Sequence, residues 1–268
     1  MELRGIFPIC ERDFIVSWRN ISSDLLPTIV SPLTFFLAFG FGLQGYLSDI
    51  EGVPYTTFVV PGLVSMTAVT SAFDHGAWSL WFHRIVQKTI NEYRVNPISV
   101  YEIVIGKILS GFLLGALKGM VVAIILLLLI NFQTSPGSES VVGLLKDSSL
   151  AVSHLLFYLL FVFLGSMIFS CVGTMCGTVM DRPEDLNKIQ GVVITPLVFL
   201  AGLFFPLSSF PPKVLPLIKL LPTTAIFEGA RQALLQGRVE SPYTLELFVY
   251  ATISFILAVI IFQKYIEE

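Results

Sequence analysis

Several residues carry groups that could do chemistry, and one of them stands in unusual company. Lys118 interrupts an otherwise uncharged run over 108–138. If a helix starts near residue 108, Lys118 lies roughly 15 Å along it. A charge that deep in hydrocarbon is costly: it either faces a pathway and meets an anionic group, or pairs internally, with Asp74 or Glu228 as candidate acids. Glu228 and Arg231 are three apart and can pair on one helix face; gating is the alternative role for such intramembrane charges. Asp74-His75 falls toward the end of another apolar run. Cys171 and Cys176, five apart, sit on different helix faces, so they and Cys10 imply neither a disulfide nor a metal site. His75, His83 and His154 are scattered and lack metal-ligand spacing. The phosphate-cradling pattern GxxxxGK[ST] has no match: Gly106-Lys107 lacks the upstream Gly and the following Ser or Thr. An intramembrane enzyme would need clustered acids, a Ser/His pair or metal ligands, and the acids here are dispersed.

The elements that must position these groups are apolar runs. The chain is 54% hydrophobic and 13% charged, against roughly 25% charged in soluble domains. The class is therefore an all-α integral membrane protein. The net charge of -3 implies no nucleic-acid partner. A membrane helix needs roughly 20 apolar residues to cross about 30 Å. Six transmembrane helices are expected, over about 25–48, 52–82, 103–131, 148–180, 189–207 and 245–264. Arg4, Arg12, Arg19, Arg84, Lys88, Arg94, Lys107, Arg182, Lys188 and Lys264 fall on one side. That bias makes both termini cytoplasmic in a multi-pass plasma (inner) membrane protein. The loop before the last span, with Lys213, Lys219, Arg231 and Arg238, is the exception.

The amino-terminal charges leave no uninterrupted apolar h-region, so no cleavable signal peptide is read. Leu3, Phe7, Cys10, Phe14, Trp18 and Ile21 recur at spacings of three and four. This predicts an interfacial amphipathic helix over about 2–22, with Trp18 at headgroup level and Glu11, Arg12, Ser17 and Arg19 on other faces. Residues 208–236 are too apolar for an ordinary loop, and Pro211, Pro212, Pro216 and Pro222 divide them. A re-entrant helix pair within about 212–236, dipping in from outside, fits this pattern. Backbone at that depth must be covered by protein, so the pair packs on other spans. Gly111, Gly115 and Gly119 repeat every four residues, and Ser166, Ser170, Gly173 and Gly177 form a second small stripe. Such stripes let membrane helices approach closely. After the second span, a loop mixing charges with Ile85, Thr89 and Tyr93 predicts a short cytoplasmic helix able to seat in a partner's groove; Asn96-Pro97 ends it.

The order and spacing of these pieces resemble the permease subunits of ABC-2 (type V) exporters. RDFIVSWRN (12–20) leading to LTFFLAFGFGL (33–43) looks like the family's interfacial helix and first span, and YTTFVVPGL (55–63) like its second-span entry. TPLVFLAGLFFPLSSFPP (195–212) is similar to the fifth-span signature, and LPTTAIFEGARQALL (221–235) to the segment in which an acid precedes an arginine by three. Within the family the look is nearest to nodulation-factor and drug-resistance exporter permeases; the amino-terminal pattern of O-antigen and teichoic-acid permeases is largely missing, which argues against a polymer substrate.

The resemblance implies a homodimer with two nucleotide-binding ATPase subunits. Those partners would hold ATP and Mg; this chain would hold no cofactor and would be no enzyme by itself. It makes the cytoplasmic loop a coupling helix over about 84–95, carrying Arg84, Gln87, Lys88, Thr89, Glu92, Tyr93 and Arg94, with 181–188 as a secondary contact. It implies export of an amphipathic substrate, a lipid-linked or lipid-modified oligosaccharide or a lipophilic drug, amid membrane lipids. Phe35, Phe36, Phe39, Phe199, Phe204 and Phe205 would line spans one and five, with Lys118 on the pathway and Glu228 and Arg231 at a gate. Lipid-facing or core phenylalanine is the alternative for each ring. The rival classes are a secondary transporter or channel, which often shows two related halves not evident here, and an intramembrane enzyme.

Overall fold

The computed structural model describes residues 5–43, 46, 50, 52–90, 99–133, 148–237 and 241–267. Among them the backbone is almost wholly helical, with one isolated antiparallel bridge, Ile50 to Val53. Helix α1 spans Ile6–Arg19 and α2 Ile21–Phe35, the latter prolonged by a π turn at Phe36–Phe41. Helix α3 spans Tyr55–Asp74 and runs on through π turns at His75–Ser79 and Phe82–Val86. Helices α4, Val100–Gln133, and α5, Ser148–Val179, follow. Next come α6, Pro183–Ile189, a π turn at Gln190–Ile194, and α7, Thr195–Leu200. The short α8, Leu215–Lys219, precedes α9, Pro222–Arg231, which ends in a π turn at Gln232–Gln236. Helix α10 is Ser241–Glu267.

Five described helices are long and apolar enough to cross a membrane: Ile21–Phe41, Tyr55–Val86, Val100–Ile130, Ser153–Val179 and Pro242–Tyr265. The span expected over 189–207 is shorter. Its helical run begins with Glu184, Asp185 and Lys188 and stops at Leu200. The uncharged part, 189–200, covers about 18 Å of helix, short of about 30 Å of hydrocarbon. Gly202, at φ 81°, then reverses the chain in a backbone region that L side chains rarely adopt.

Helix α3 is the centre of the molecule, buried along nearly its whole length and packed on α4 and α5. The glycine stripes explain how closely. A Cβ added at Gly115 would stand 2.6 Å from the Ala72 Cβ and 2.7 Å from the Ala68 carbonyl oxygen. Gly173 and Gly177 meet the Phe73 and Ala77 carbonyls in the same way from α5. In hydrocarbon, where apolar side chains gain nothing by leaving lipid, such close dispersion contact is what holds helices together. Helices α8 and α9 lie within 212–236, α9 starting two residues before the second expected helix, and each has proline in its first turn, where the missing N–H costs no bond. Every residue of α9 from Thr223 to Arg231 is buried, against α3, α5 and α10.

The loop after α3 differs from the expectation of a helix starting at residue 84. Arg84 belongs to the π turn that prolongs α3, and the break comes at Lys88, whose φ is 55°. Thr89 and Ile90 are helical again. Glu92, Tyr93 and Arg94 lie outside the described residues.

Candidate functional site

Two polar constellations and one aromatic cluster carry the chemistry. The first joins α1 to α3 and α4. Lys107 Nζ donates to both oxygens of Asp13, at 2.8 and 2.9 Å, and to Ser79 Oγ at 2.9 Å. It also lies 2.6 Å from His83 Nδ1. An ammonium has three hydrogens and no lone pair, so that ring nitrogen is the acceptor and His83 is neutral there. Ser110 Oγ donates to Asp13 at 2.7 Å, and His75 Nε2 stands 3.5 Å from the same carboxylate. Burial alone would raise the Asp13 carboxyl, but His75 and Lys107 outweigh it and hold the group below the usual carboxylate range. Two outer bonds brace the same joint: Cys10 Sγ to the Gly106 carbonyl at 3.2 Å, and the Gly5 N–H to Glu102 at 3.0 Å.

Lys118 does not pair with Asp74 or Glu228. It donates to Asp24 at 2.6 Å, and Ser17 supplies a second donor to that carboxylate at 2.7 Å. The acid comes from the first turns of α2, which α1 brings back alongside α4.

The second polar constellation surrounds Arg231, of which 1% is exposed. Its Nη1 donates to Glu228 at 3.1 Å and its Nη2 to the Gly202 carbonyl at 2.7 Å. Its guanidinium carbon lies 3.8 Å over the Phe58 ring centroid. Tyr55 donates to the Phe204 carbonyl at 3.1 Å. The turn after α7 thus has its carbonyls met by α9 and α3, where a helix end otherwise leaves acceptors unsatisfied.

That turn carries Phe204 into a ring cluster. Phe204 is 4.4 Å from Phe39, 5.6 Å from Phe35 and 5.6 Å from Phe199, centroid to centroid. The four rings bring α2 and α7 side by side. Phe205 is 48% exposed beside them. Phe36 is fully buried and packs edge-on against Phe41 at 4.9 Å, so it belongs to the core and not to the cluster. At the far end of α3, Arg84 donates to Asp181 at 2.9 Å and Trp81 to the Asp181 carbonyl at 3.0 Å. Arg12 donates to Gln87 at 2.9 Å. The loop after α3 is thereby tied to both α1 and the start of α6.

Sequence reasoning missed the Asp13–Lys107 joint. The sequence shows Asp13 only as one of several charges among the apolar residues of the first stretch, and Lys107 only as a charge flanking a span. A usable signal existed: His75, Ser79 and His83 are four apart, and Lys107 and Ser110 three apart, which stacks each set on one helix face.

A family model, that of the ABC-2 type transporters, matches residues 5–235. The chain is 28% identical over 211 residues to "Inner membrane transport permease YadH" of Escherichia coli K12, covering 79% of this chain and 75% of that protein. It is 25% identical over 252 residues to "Nodulation protein J" of Bradyrhizobium diazoefficiens, covering 93% and 89%. A second "Nodulation protein J", from Neorhizobium galegae, is 20% identical over 267 residues, covering 97% and 93%.

Proposed function

Because the chain belongs to the ABC-2 type transporter family, a family of multi-pass membrane transport subunits, we propose that it is the permease of an ATP-driven exporter. Two copies assemble with two nucleotide-binding ATPase subunits, which hold the ATP and Mg. The observation that carries this reading is a family match across residues 5–235 in a chain with no GxxxxGK[ST] string. A pump needs that loop, so a partner supplies it.

Both termini face the cytoplasm, and α6–α7 completes a sixth, shorter crossing. Helices α8 and α9 dip in from the outer side; the burial of α9 supports this, because backbone at membrane depth needs protein cover. ATP binding acts on the loop after α3, where Arg84, Gln87, Lys88, Thr89, Glu92, Tyr93 and Arg94 meet the ATPase. The loop's ties to Arg12 and Asp181 support a coupled response. The route opens between copies along α2 and α7, where Phe35, Phe39, Phe199, Phe204 and Phe205 offer an apolar wall and Glu228–Arg231 holds the outer turn. Lys118, paired with Asp24, marks the inner end. An amphipathic substrate with an apolar tail, a lipid-modified oligosaccharide or lipophilic drug, suits such a wall.

The test is ATP hydrolysis by the purified chain, alone and with its ATPase. Background activity alone, with hydrolysis and mutual co-purification on adding the partner, is expected. Robust hydrolysis by this chain alone would overturn the proposal.

A further inference from the structure

The joint between α1 and the rest of the bundle encloses more space than its ion pairs fill. A cavity of about 530 Å³ opens between α1, the start of α2, the π turns of α3 and Lys118 of α4. That is the size of a small-molecule site. Its wall includes Asp24, Asp74, Lys118, Trp78 and Phe82.

The charges on this wall do not balance internally. Asp13 is answered by Lys107, and Asp24 by Lys118 and Ser17. Asp74 is served in part: Gln190 hydrogen-bonds its carboxyl, but its Oδ1 is buried and has no hydrogen-bond partner. Asp13 and Asp24 each have an ion-pair partner, whereas Asp74 forms no ion pair among the described residues. A buried carboxylate oxygen left unmet is costly, and an ammonium N–H is the donor that best repays it. The apolar part of the wall points to the same chemistry, since Trp78 and Phe82 offer ring faces that attract a cation. Lys118, the lysine on this wall, is already held at 2.6 Å by Asp24.

We infer that this cavity binds an ammonium group, with Asp74 as its counter-ion and Trp78 as its aromatic wall. Helix α1 exposes Phe7 and Trp18 on its outer side; such residues sit at the headgroup level of a bilayer. At that level the ammonium arrives on an ethanolamine lipid headgroup or as a free amine. The inference rests on the cavity alone and stands whether or not the chain exports anything.

Native mass spectrometry of the full chain in detergent tests it, with phosphatidylethanolamine, phosphatidylglycerol and free ethanolamine as probes. Phosphatidylethanolamine should bind about 10-fold more tightly than phosphatidylglycerol, a difference within reach of one desolvated cation–π and charge contact. Asp74→Asn should erase that preference, while Glu246→Gln, which removes an acid elsewhere in the bundle, should keep it. Ser23→Trp places bulk on an exposed position at the cavity. It should block binding without removing a charge, which covers the case of Asp74→Asn failing to fold. Free ethanolamine binding with the same dependence on Asp74 would uphold the ammonium site and assign it to soluble amines. Equal binding of both lipids with no uptake of ethanolamine, or a preference that survives Asp74→Asn or Ser23→Trp, would overturn the inference.

Discussion

Asp13 Oδ1 lies 2.8 Å from Lys107 Nζ, and each side chain is 2% exposed. The pair fastens α1 to the first turns of α4, and Ser79 and His83 add α3 to the joint. A buried ion pair contributes little net stability, since the cost of desolvation offsets most of the attraction. What it fixes is geometry: one ammonium met by acceptors from two other helices holds α1 in a single place. A force applied to the loop after α3 therefore reaches α1 as well, directly through Arg12 and Gln87 and through this joint.

Removing one partner of this pair should be far worse than removing both. Lys107→Met leaves Asp13 buried and uncompensated, at about 3–5 kcal/mol. Asp13→Asn combined with Lys107→Met should recover part of the loss, because contacting residues are non-additive. Heating followed by size-exclusion of the solubilised protein reads the midpoint. A single variant with the parental midpoint would remove the joint from the account.

The acid limb of stability should carry the signature of Asp13. Its folded carboxyl is held below the unfolded value, the net of burial raising it and His75 and Lys107 lowering it further. Its contribution is thus complete above about pH 4 and lost as pH falls below that. Asp13→Asn should shrink the drop in midpoint between pH 5 and pH 3. An unchanged drop would show that other carboxylates set the acid limb.

The glycine contacts of α3 should tolerate no side chain. Gly115→Val drives methyl groups into Ala72 and the Ala68 carbonyl. Overpacking of this kind costs typically about 1–3 kcal/mol. The yield of monodisperse protein should fall sharply, whereas Gly191→Ala, which meets no atom within 4 Å, should leave it unchanged. Parental yield from Gly115→Val would mean that α3 and α4 can separate.

Coupling should fail without loss of insertion when the loop is altered. Tyr93→Ala removes a candidate interface aromatic, of the kind that contributes about 2 kcal/mol or more, and Arg94→Glu reverses a charge. Co-purification of the ATPase at matched permease levels is the measurement. Normal association in both variants would end the coupling assignment while leaving the helical architecture untouched.

The sequence reveals the elements better than their joints. Long uncharged runs mark α4, α5 and α10 because hydrocarbon admits little else. The glycine and serine spacings mark which faces touch. Prolines placed α8 and α9 within a few residues. The early stop at Leu200 was hidden because Ala201–Phe205 is as apolar as a span; the break is a backbone event at Gly202, not a change in hydropathy. The pairing of Lys118 with Asp24 was hidden for another reason. It joins residues 94 apart, and only the return of α1 against α4 brings Asp24 within reach. The inward turn of Asp13 is not legible in the sequence, because a charge on an amphipathic helix normally faces water. Here α1 turns Ile9, Cys10 and Asp13 inward and leaves Phe7 and Trp18 outside.

Arg231 should resist its conservative replacement. Its two terminal nitrogens serve Glu228 and Gly202 at once, and its flat face lies on Phe58. A lysine ammonium is a point charge on a flexible stem; it can reach one acceptor but cannot reproduce a planar fork stacked on a ring. Arg231→Lys should therefore release the turn that holds Phe204 among Phe35, Phe39 and Phe199. Glu228→Gln should be milder, since an amide oxygen still accepts the bond. The expected sign is faster proteolysis within 201–214 in Arg231→Lys than in the parent, at equal membrane abundance, with Glu228→Gln between them. Tyr55→Phe removes only the bond to the Phe204 carbonyl and should add to the Glu228→Gln effect, because each holds a different part of the turn. Parental proteolysis in Arg231→Lys would mean that packing of the four rings, and not the guanidinium, holds α7 against α2.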